Sequence, residues 1–183
     1  FVTAGGSLLH GDISGVFSDP IVQAGPLTLG LFGGLDVLVR AAGLQAVLPF
    51  LAMSLVASFC MTAAVRWCTR KASDTWAGAG LVAALVLGVA WGAFTGTWAH
   101  PTHAVVPLLW TIAVVQLQGH RAAAAGAVLG LAIAFDTWAV VGLCAIVLLL
   151  PDIRAAGRAL AVAAGVSLVA WLPFFLAGPV RSG

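Results

Sequence analysis

Long apolar runs separated by short polar stretches make up most of this chain. The runs at 44–66, 76–94, 101–118 and 157–177 each predict a membrane-spanning α-helix, because roughly 20 apolar residues in helical form cross a hydrocarbon core about 30 Å thick. Residues 1–9 are also apolar but too short to span. We therefore expect them to be the end of a helix whose beginning is missing, and the chain to be a fragment.

Two less apolar segments follow this first helix. Residues 10–25 contain His10, Asp12 and Asp19 and predict a polar outer loop. Residues 26–40 begin with a proline, which suits the first turn of a helix. Their glycines and charged side chains are unfavourable in a spanning segment, so the pattern favours a helix lying in the membrane interface.

The run from 121 to 151 is apolar except at its middle, where Asp136 interrupts it. The run is either one long tilted helix with an acid at lipid depth or a hairpin of two short helices, 121–136 and 137–151. A charge at the bilayer centre costs about 2.5–3.5 kcal/mol on insertion scales, and a hairpin avoids much of this cost by placing Asp136 at the floor of an outer cavity. The hairpin also leaves the basic residues at both ends of the run on the cytoplasmic side. We favour the hairpin.

Composition agrees with a membrane protein. The 183 residues are 62% hydrophobic and 8% charged, with a mean hydropathy of +1.11, whereas a soluble domain is about a quarter charged. The chain has no basic stripe interleaved with aromatic residues, so nucleic acid is not an expected partner. The predicted fold is all-α: a single transmembrane domain, built as a polytopic helix bundle with an interfacial helix and a short-helix hairpin.

These spans predict a topology in which the two membrane faces differ in charge. Six of the eight basic residues would face the cytoplasm, as the positive-inside bias requires: Arg66, Arg70, Lys71, Arg121, Arg154 and Arg158. The opposite face would collect most of the acids and histidines: Asp12, Asp19, Asp36, Asp136, His10, His100 and His103. Candidate site residues are therefore expected on the outer face.

Asp12 and two histidines are the first candidates on that face. A carboxylate at the bilayer edge can act as a general base on a hydroxyl, but an Asp in a glycine-containing turn also bonds its own backbone, and both interpretations of Asp12 stay open. His100 and His103 lie beside Trp98 and are expected to hydrogen-bond a phosphate or a sugar. Two histidines are a weak metal signal because a stable site takes three or more protein ligands, so we expect no metal.

Asp136 is a further candidate because ionisable residues at membrane depth commonly mark functional sites. Its structural alternative is an ion pair with Arg40 or with Arg181. The same residue would be the intramembrane carrier site if the chain were a transporter.

Five short motifs follow one another in an order found in a known family. They are Gly11-Asp12 after the first helix, Gln-Ala-Gly-Pro-Leu at 23–27, His100-Pro101, Gly-Leu-Ala-Ile-Ala-Phe-x-x-Trp at 130–138 and Leu-Pro-Phe at 172–174. In these motifs the chain resembles the GT-C superfamily of integral-membrane glycosyltransferases. Within that superfamily it is most similar to the bacterial type that uses polyprenyl-phosphate mannose.

The resemblance implies a helix bundle in the bacterial plasma membrane with its active site on the extracytoplasmic face. A mannose-like sugar would pass from a polyprenyl-phosphate donor to a hydroxyl of a glycan or lipid acceptor, without a further cofactor. Asp12 would be the catalytic base, while His100 and His103 would hold the donor phosphate or sugar. Asp136 and Trp138 would belong to the same substrate site.

Two positions depart from the family pattern. Ala99 stands where a glycine often precedes the His-Pro pair, and Asp136 stands near Trp138 where a basic residue is often found. Because an acid cannot neutralise a lipid phosphate, Arg40, Arg181 or a segment outside this chain is expected to do so. Two other functions stay open: a polytopic transporter or proton-coupled permease that uses Asp136, and a non-catalytic membrane subunit, which would explain both departures.

Overall fold

The regular structure of the described residues is helical throughout. The computed structural model describes residues 2–13, 16, 24–43, 55, 57–64, 66–67, 82, 85–93, 102–150 and 152–177. Its elements are α1 (Val2–Leu9), α2 (Pro26–Ala41), α3 (Thr102–Gln118), α4 (Ala122–Phe135), a 3-10 segment (Thr137–Leu143), α5 (Cys144–Leu149) and α6 (Ile153–Ala177). Residues 57–64 and 85–93 are helical as well. The predicted all-α class is confirmed over these residues.

Helix α6 is long and apolar enough to cross a bilayer. Its 25 residues extend about 37 Å at 1.5 Å per residue, against a hydrocarbon core of about 30 Å. In the described part of the chain it alone passes this test of length and composition, while Val105–Gln118, Ala122–Phe135 and Thr137–Leu149 are apolar but shorter.

Helix α6 also begins four residues earlier than the apolar run predicts. The carboxylate of Asp152 accepts hydrogen bonds from the backbone N–H groups of Arg154, at 3.0 Å, and Ala155, at 3.2 Å. These N–H groups lie in the first turn, where no carbonyl of the helix itself can reach them. The cap therefore extends the helix into the polar residues that precede the apolar run.

Small residues allow α4 and α6 to pack with their backbones close together. A Cβ atom at Gly126 would overlap the carbonyl of Ala159, and one at Gly130 would crowd the carbonyl of Ala163. The Ser167 hydroxyl donates a 3.1 Å hydrogen bond to the Gly130 carbonyl. In these contacts α4 and α6 run parallel to each other. Buried alanines of both helices (Ala122, Ala125, Ala159 and Ala163) belong to the same core cluster.

The chain breaks at Asp136 and turns back, so residues 121–150 form a hairpin and not one long helix. Helix α4 ends at Phe135, and Asp136 is extended, with φ −156° and ψ 136°. In the returning limb, Ile146 and Leu150 join the buried cluster that contains Leu117 and Ala125. Because α4 ends at Phe135, Asp136 does not lie at the centre of a long continuous helix.

The returning limb differs from the helix predicted over 137–151. It is a 3-10 segment as far as Leu143, followed by the six residues of α5. Trp110 on α3 packs against this limb: its indole Nε1 donates to the Ala139 carbonyl at 3.3 Å, and a Cβ at Gly142 would overlap the indole ring. The narrower 3-10 coil thus lies against a residue from another helix.

Helices α1 and α2 form a second pair. Each of Gly5 and Gly33 lies so near the other's backbone that a Cβ at either would overlap it. Val16 and Leu29 form a buried cluster around which Leu8 and Phe174 pack. Since Phe174 belongs to the last turns of α6, this cluster attaches the α1–α2 pair to the C-terminal end of α6.

The helical residues 57–64 and 85–93 are also in close contact. Gly88 packs against Thr62 and the Ser58 carbonyl, where a Cβ would not fit. This agrees with the sequence, in which Gly88, Gly92 and Gly96 are spaced four apart as in closely packed membrane helices; Gly96 lies outside the described residues. The Trp91 indole donates to the His103 carbonyl at 2.9 Å, which joins 85–93 to the start of α3.

The ends of the helices meet in two groups. The Asp136 end comprises the hairpin turn, the start of α2 and the start of α3, since Gly25 bonds Phe135 and His103 contacts Trp138. The Arg121 end comprises the turn between α3 and α4 and the start of α6, since Gly126 packs against Ala159. Trp67 lines a cavity of about 520 Å³ that runs along α3 from Pro107 to Gln118.

Candidate functional site

The start of α2 is fixed to the hairpin turn through one carbonyl. The Phe135 oxygen accepts hydrogen bonds from the Gly25 backbone N–H at 2.9 Å and from the Thr28 hydroxyl at 2.6 Å. This oxygen lies in the last turn of α4, where carbonyls have no partner in their own helix. A Cβ at Gly25 would overlap the Ala134 carbonyl, so the contact requires glycine.

Asp136 follows directly on this junction and is only 7% exposed. Its backbone N–H donates to Ala132 and its carbonyl accepts from Ala139, at 3.0 and 3.1 Å. The described residues supply no hydrogen-bond or ion-pair partner to its carboxylate. No side-chain oxygen in the described part of the chain is both buried and without a hydrogen-bond partner, so the carboxylate oxygens belong to the small exposed part of the residue. Asp136 is a candidate because an acid at a break between apolar segments commonly marks a functional site.

Trp138 lies between two other aromatic rings. Its ring centre is 5.1 Å from that of Trp110, with the planes at 81°, and 5.9 Å from that of His103, with the planes at 66°. Edge-to-face pairs of this kind contribute roughly 0.5–1.5 kcal/mol beyond the area they bury. The structure thus brings His103 next to Trp138, which follows Asp136 by two residues.

Asp12 lies in the turn that ends α1 and is exposed. Gly11 has a φ of +83°, which a residue with a side chain rarely adopts, and the Asp12 N–H donates to the Ser7 carbonyl at 3.0 Å. The turn is thus made by the backbone, and the cluster of Val16 and Phe174 holds the loop near the end of α6.

Arg40 does not lie near Asp136. It belongs to the last turn of α2 and is exposed, about 21 Å along the helix from Pro26 at 1.5 Å per residue. The hairpin turn is bonded to the start of α2 and not to its end. The predicted alternative of an ion pair between Arg40 and Asp136 is therefore wrong. His100 and Arg181 lie outside the described residues.

A groove lies beside the hairpin turn, between the 3-10 segment and α6. It measures about 380 Å³ and is lined almost wholly by apolar atoms. Its lining residues are Thr137, Ala164, Ser167, Leu168, Trp171 and Phe175. Neither Asp12 nor Asp136 is among them, although Asp136 directly precedes Thr137.

Sequence reasoning missed three parts of this site. Nothing in the sequence marks Thr28 except its position directly after the Gln-Ala-Gly-Pro-Leu stretch at 23–27. Trp110 looks like one more apolar residue of a spanning helix, because its partner Ala139 is 29 positions away. The groove arises where two limbs meet, and no single segment encodes it.

The described residues contain no group of three or more His, Cys, Asp or Glu side chains that could hold a metal ion. No family model, no curated protein and no solved structure matches this chain. Function must therefore be argued from the site itself and from the short motifs that suggested a family.

Proposed function

We propose that this chain is a multi-pass protein of the bacterial plasma membrane. The support is its exposed apolar surface, which extends well beyond α6: Leu148 on α5 is 81% exposed, Phe59 in the helical residues 57–64 is 73% exposed, and Leu38 on α2 is 67% exposed. Large contiguous apolar patches on a protein surface mark contact with lipid or with a partner. Lipid covers such surfaces on several helices at once, including the short limbs of the hairpin.

The orientation follows from charge. Arg121 belongs to the turn between α3 and α4, and the packing of Gly126 against Ala159 brings the start of α6, with Arg154 and Arg158, beside that turn. Basic residues are enriched on the cytoplasmic side of membrane proteins. The Arg121 end therefore faces the cytoplasm, and the Asp136 end faces outward.

The activity that we propose is transfer of a mannose-like sugar from a polyprenyl-phosphate donor to an acceptor hydroxyl on the outer face. The observation that supports it best is that His103 lies close to Trp138 and the Asp136 turn. Asp136 and Trp138 belong to the motif at 130–138, and His103 follows the His100-Pro101 motif by two residues. Asp12 is exposed in the loop attached near Phe174. An acceptor can thus reach it from outside.

Each residue has a defined part in this reaction. The Asp12 carboxylate takes the proton of the acceptor hydroxyl as the hydroxyl oxygen bonds to the anomeric carbon of the sugar. The bond between that carbon and the phosphate oxygen breaks, and the polyprenyl phosphate leaves with the bonding electron pair. His103 and Trp138 bind the sugar, together with His100, and Arg181 balances the phosphate charge.

The proposal is tested by measuring transfer in membrane vesicles that contain the full-length protein. Vesicles are given polyprenyl-phosphate [14C]mannose, and radioactivity leaving the donor for lipid or glycan products is counted. Asp12→Asn should lower the rate at least about a hundredfold, since a general base contributes that much or more. Asp152→Asn, at the start of α6, is the matched control and should leave the rate unchanged. Full turnover in Asp12→Asn would exclude Asp12 as the base.

A second candidate function, proton-coupled transport, is favoured by Asp136. An acid that is buried, has no partner among the described residues and sits at a helix break resembles an intramembrane proton site. Proton entry into proteoliposomes, followed with an internal pH dye, separates the two functions. A transporter requires proton entry that Asp136→Asn abolishes and Asp12→Asn does not change, whereas the glycosyltransferase predicts no entry above that of empty liposomes.

A further inference from the structure

The proline within α3 removes one backbone hydrogen bond from that helix. Pro107 lies inside α3, and a proline has no N–H to donate to the carbonyl four residues earlier. That carbonyl belongs to His103. The indole Nε1 of Trp91 donates to this same oxygen at 2.9 Å. A side chain from the helical residues 85–93 thus replaces the hydrogen bond that Pro107 removes.

The two rings proposed to bind the sugar are each held beside their own backbone by an indole of another element. The His103 ring meets Trp138 edge to face, and the backbone of His103 is bonded by Trp91. Trp138 also meets Trp110, whose indole donates to the carbonyl of the next residue, Ala139. Rings that are fixed before a ligand arrives lose less conformational entropy when they bind it. The two indoles therefore prepare the pair of rings for binding.

We propose that Trp91 is a positioning residue for the sugar site. Its indole fixes the backbone of His103 and so holds the imidazole against Trp138. Trp91 acts through His103, and the missing N–H of Pro107 is what gives the indole its acceptor. The inference rests on the proposed function in taking His103 and Trp138 to bind the sugar of the donor.

The contact between the two rings can be measured without any sugar transfer. The purified full chain in detergent micelles is labelled with 5-fluorotryptophan, and the 19F resonance of Trp138 is assigned by its loss in Trp138→Phe. His103→Ala gives the position of this resonance without the imidazole. Trp91→Phe should move the resonance most of the way to that position, because the imidazole is no longer held. Trp67→Phe, the same change at an exposed indole, is the matched control and should not move it.

Pro107→Ala tests whether the bond to the His103 carbonyl is the cause. It returns a backbone N–H that can donate to this carbonyl from within α3. In the Pro107→Ala background, Trp91→Phe should therefore no longer move the Trp138 resonance.

Three results would overturn the role of Trp91. The resonance could stay in place in Trp91→Phe, could move equally in Trp67→Phe, or could move as far with Pro107→Ala as without it. None of these measurements requires activity, so a protein without transferase activity can still give the expected result. The two proposals therefore fail independently.

Kinetics in vesicles test what the positioning does for the reaction. Trp91→Phe should raise the KM for polyprenyl-phosphate mannose about fivefold, the factor that one hydrogen bond contributes. It should leave kcat unchanged, because His103 and Trp138 bind the sugar in the ground state and the transition state alike. Adding Trp91→Phe to Pro107→Ala should leave KM unchanged as well. A lower kcat at constant KM would overturn a role in positioning the rings for binding.

Discussion

The hydroxyl of Thr28 donates a 2.6 Å hydrogen bond to the carbonyl oxygen of Phe135, joining residues 107 positions apart in the chain. The Gly25 N–H donates to the same oxygen. One carbonyl at the end of α4 therefore sets where α2 begins, directly beside Asp136. The position of α2 and the geometry of the candidate site depend on each other.

Removing the Thr28 hydroxyl should loosen this junction. Thr28→Val keeps the shape of the side chain and loses one hydrogen bond, so we expect a loss of about 1 kcal/mol in the free energy of unfolding. Gly25→Ala should cost more, because its Cβ would overlap the Ala134 carbonyl and the backbone would have to move. The midpoint of SDS-induced unfolding in mixed micelles measures both.

Thr137→Val is the matched control for Thr28→Val. Thr137 is exposed, so its replacement should change the unfolding free energy by less than about 0.5 kcal/mol. If Thr28→Val were no more harmful than Thr137→Val, the junction would not hold α2 in place.

Two glycine-to-alanine substitutions should act in opposite directions. At Gly126 the added Cβ overlaps the Ala159 carbonyl, and we expect a loss of roughly 1–3 kcal/mol, as for other overpacked cores. At Gly165 nothing lies within 4 Å of the added Cβ, so alanine should stabilise α6 by roughly 0.5–1 kcal/mol. The same unfolding assay compares them, and a stabilising Gly126→Ala would contradict the close packing of α4 and α6.

How much of the fold and of the candidate site could be predicted from the sequence depends on how far apart in the chain the residues that determine each feature lie. The break at Asp136 follows from one local fact, the cost of a charge within an apolar run. The earlier start of α6 is also local, because Asp152 caps the N–H groups of Arg154 and Ala155, but counting apolar residues does not register a cap. Asp136 is a candidate because of its position within the apolar run, and Trp138 is one through the resemblance to the GT-C superfamily.

Features determined by residues far apart in the chain could not be predicted. The 3-10 form of the returning limb accompanies the packing of Trp110 against Ala139 and Gly142. An Arg40–Asp136 ion pair was plausible from charge alone. It fails because the start of α2, and not its end, is bonded to Phe135. Periodicity does not say which end of a helix meets a distant turn.

Replacing Asp136 should stabilise the protein. The residue is only 7% exposed and its carboxylate bonds no described residue, so Asp136→Asn removes a charge that is partly shielded from water, and we expect a gain of roughly 0.5–2 kcal/mol in the free energy of unfolding. Residues kept for function often destabilise the fold. SDS unfolding at neutral pH measures the gain.

Asp152→Asn is the control, and its expected effect on the free energy of unfolding has the opposite sign. Its carboxylate caps two N–H groups at the start of α6, and the amide has one acceptor oxygen fewer, so we expect a loss of roughly 0.5–1 kcal/mol. A loss of stability in Asp136→Asn as well would mean that the carboxylate stabilises the fold.

The orientation of the bundle in the membrane tests the central claim most directly. Single cysteines at His10, near the Asp136 end, and at Gln118, near the Arg121 end, are introduced after Cys60, Cys68 and Cys144 have been replaced by alanine. Both positions are exposed. In intact cells a membrane-impermeant maleimide should label His10→Cys, and it should label Gln118→Cys only after the membrane is permeabilised. Labelling of both positions from outside, or of Gln118→Cys alone, would contradict a multi-pass protein with its candidate site on the outer face.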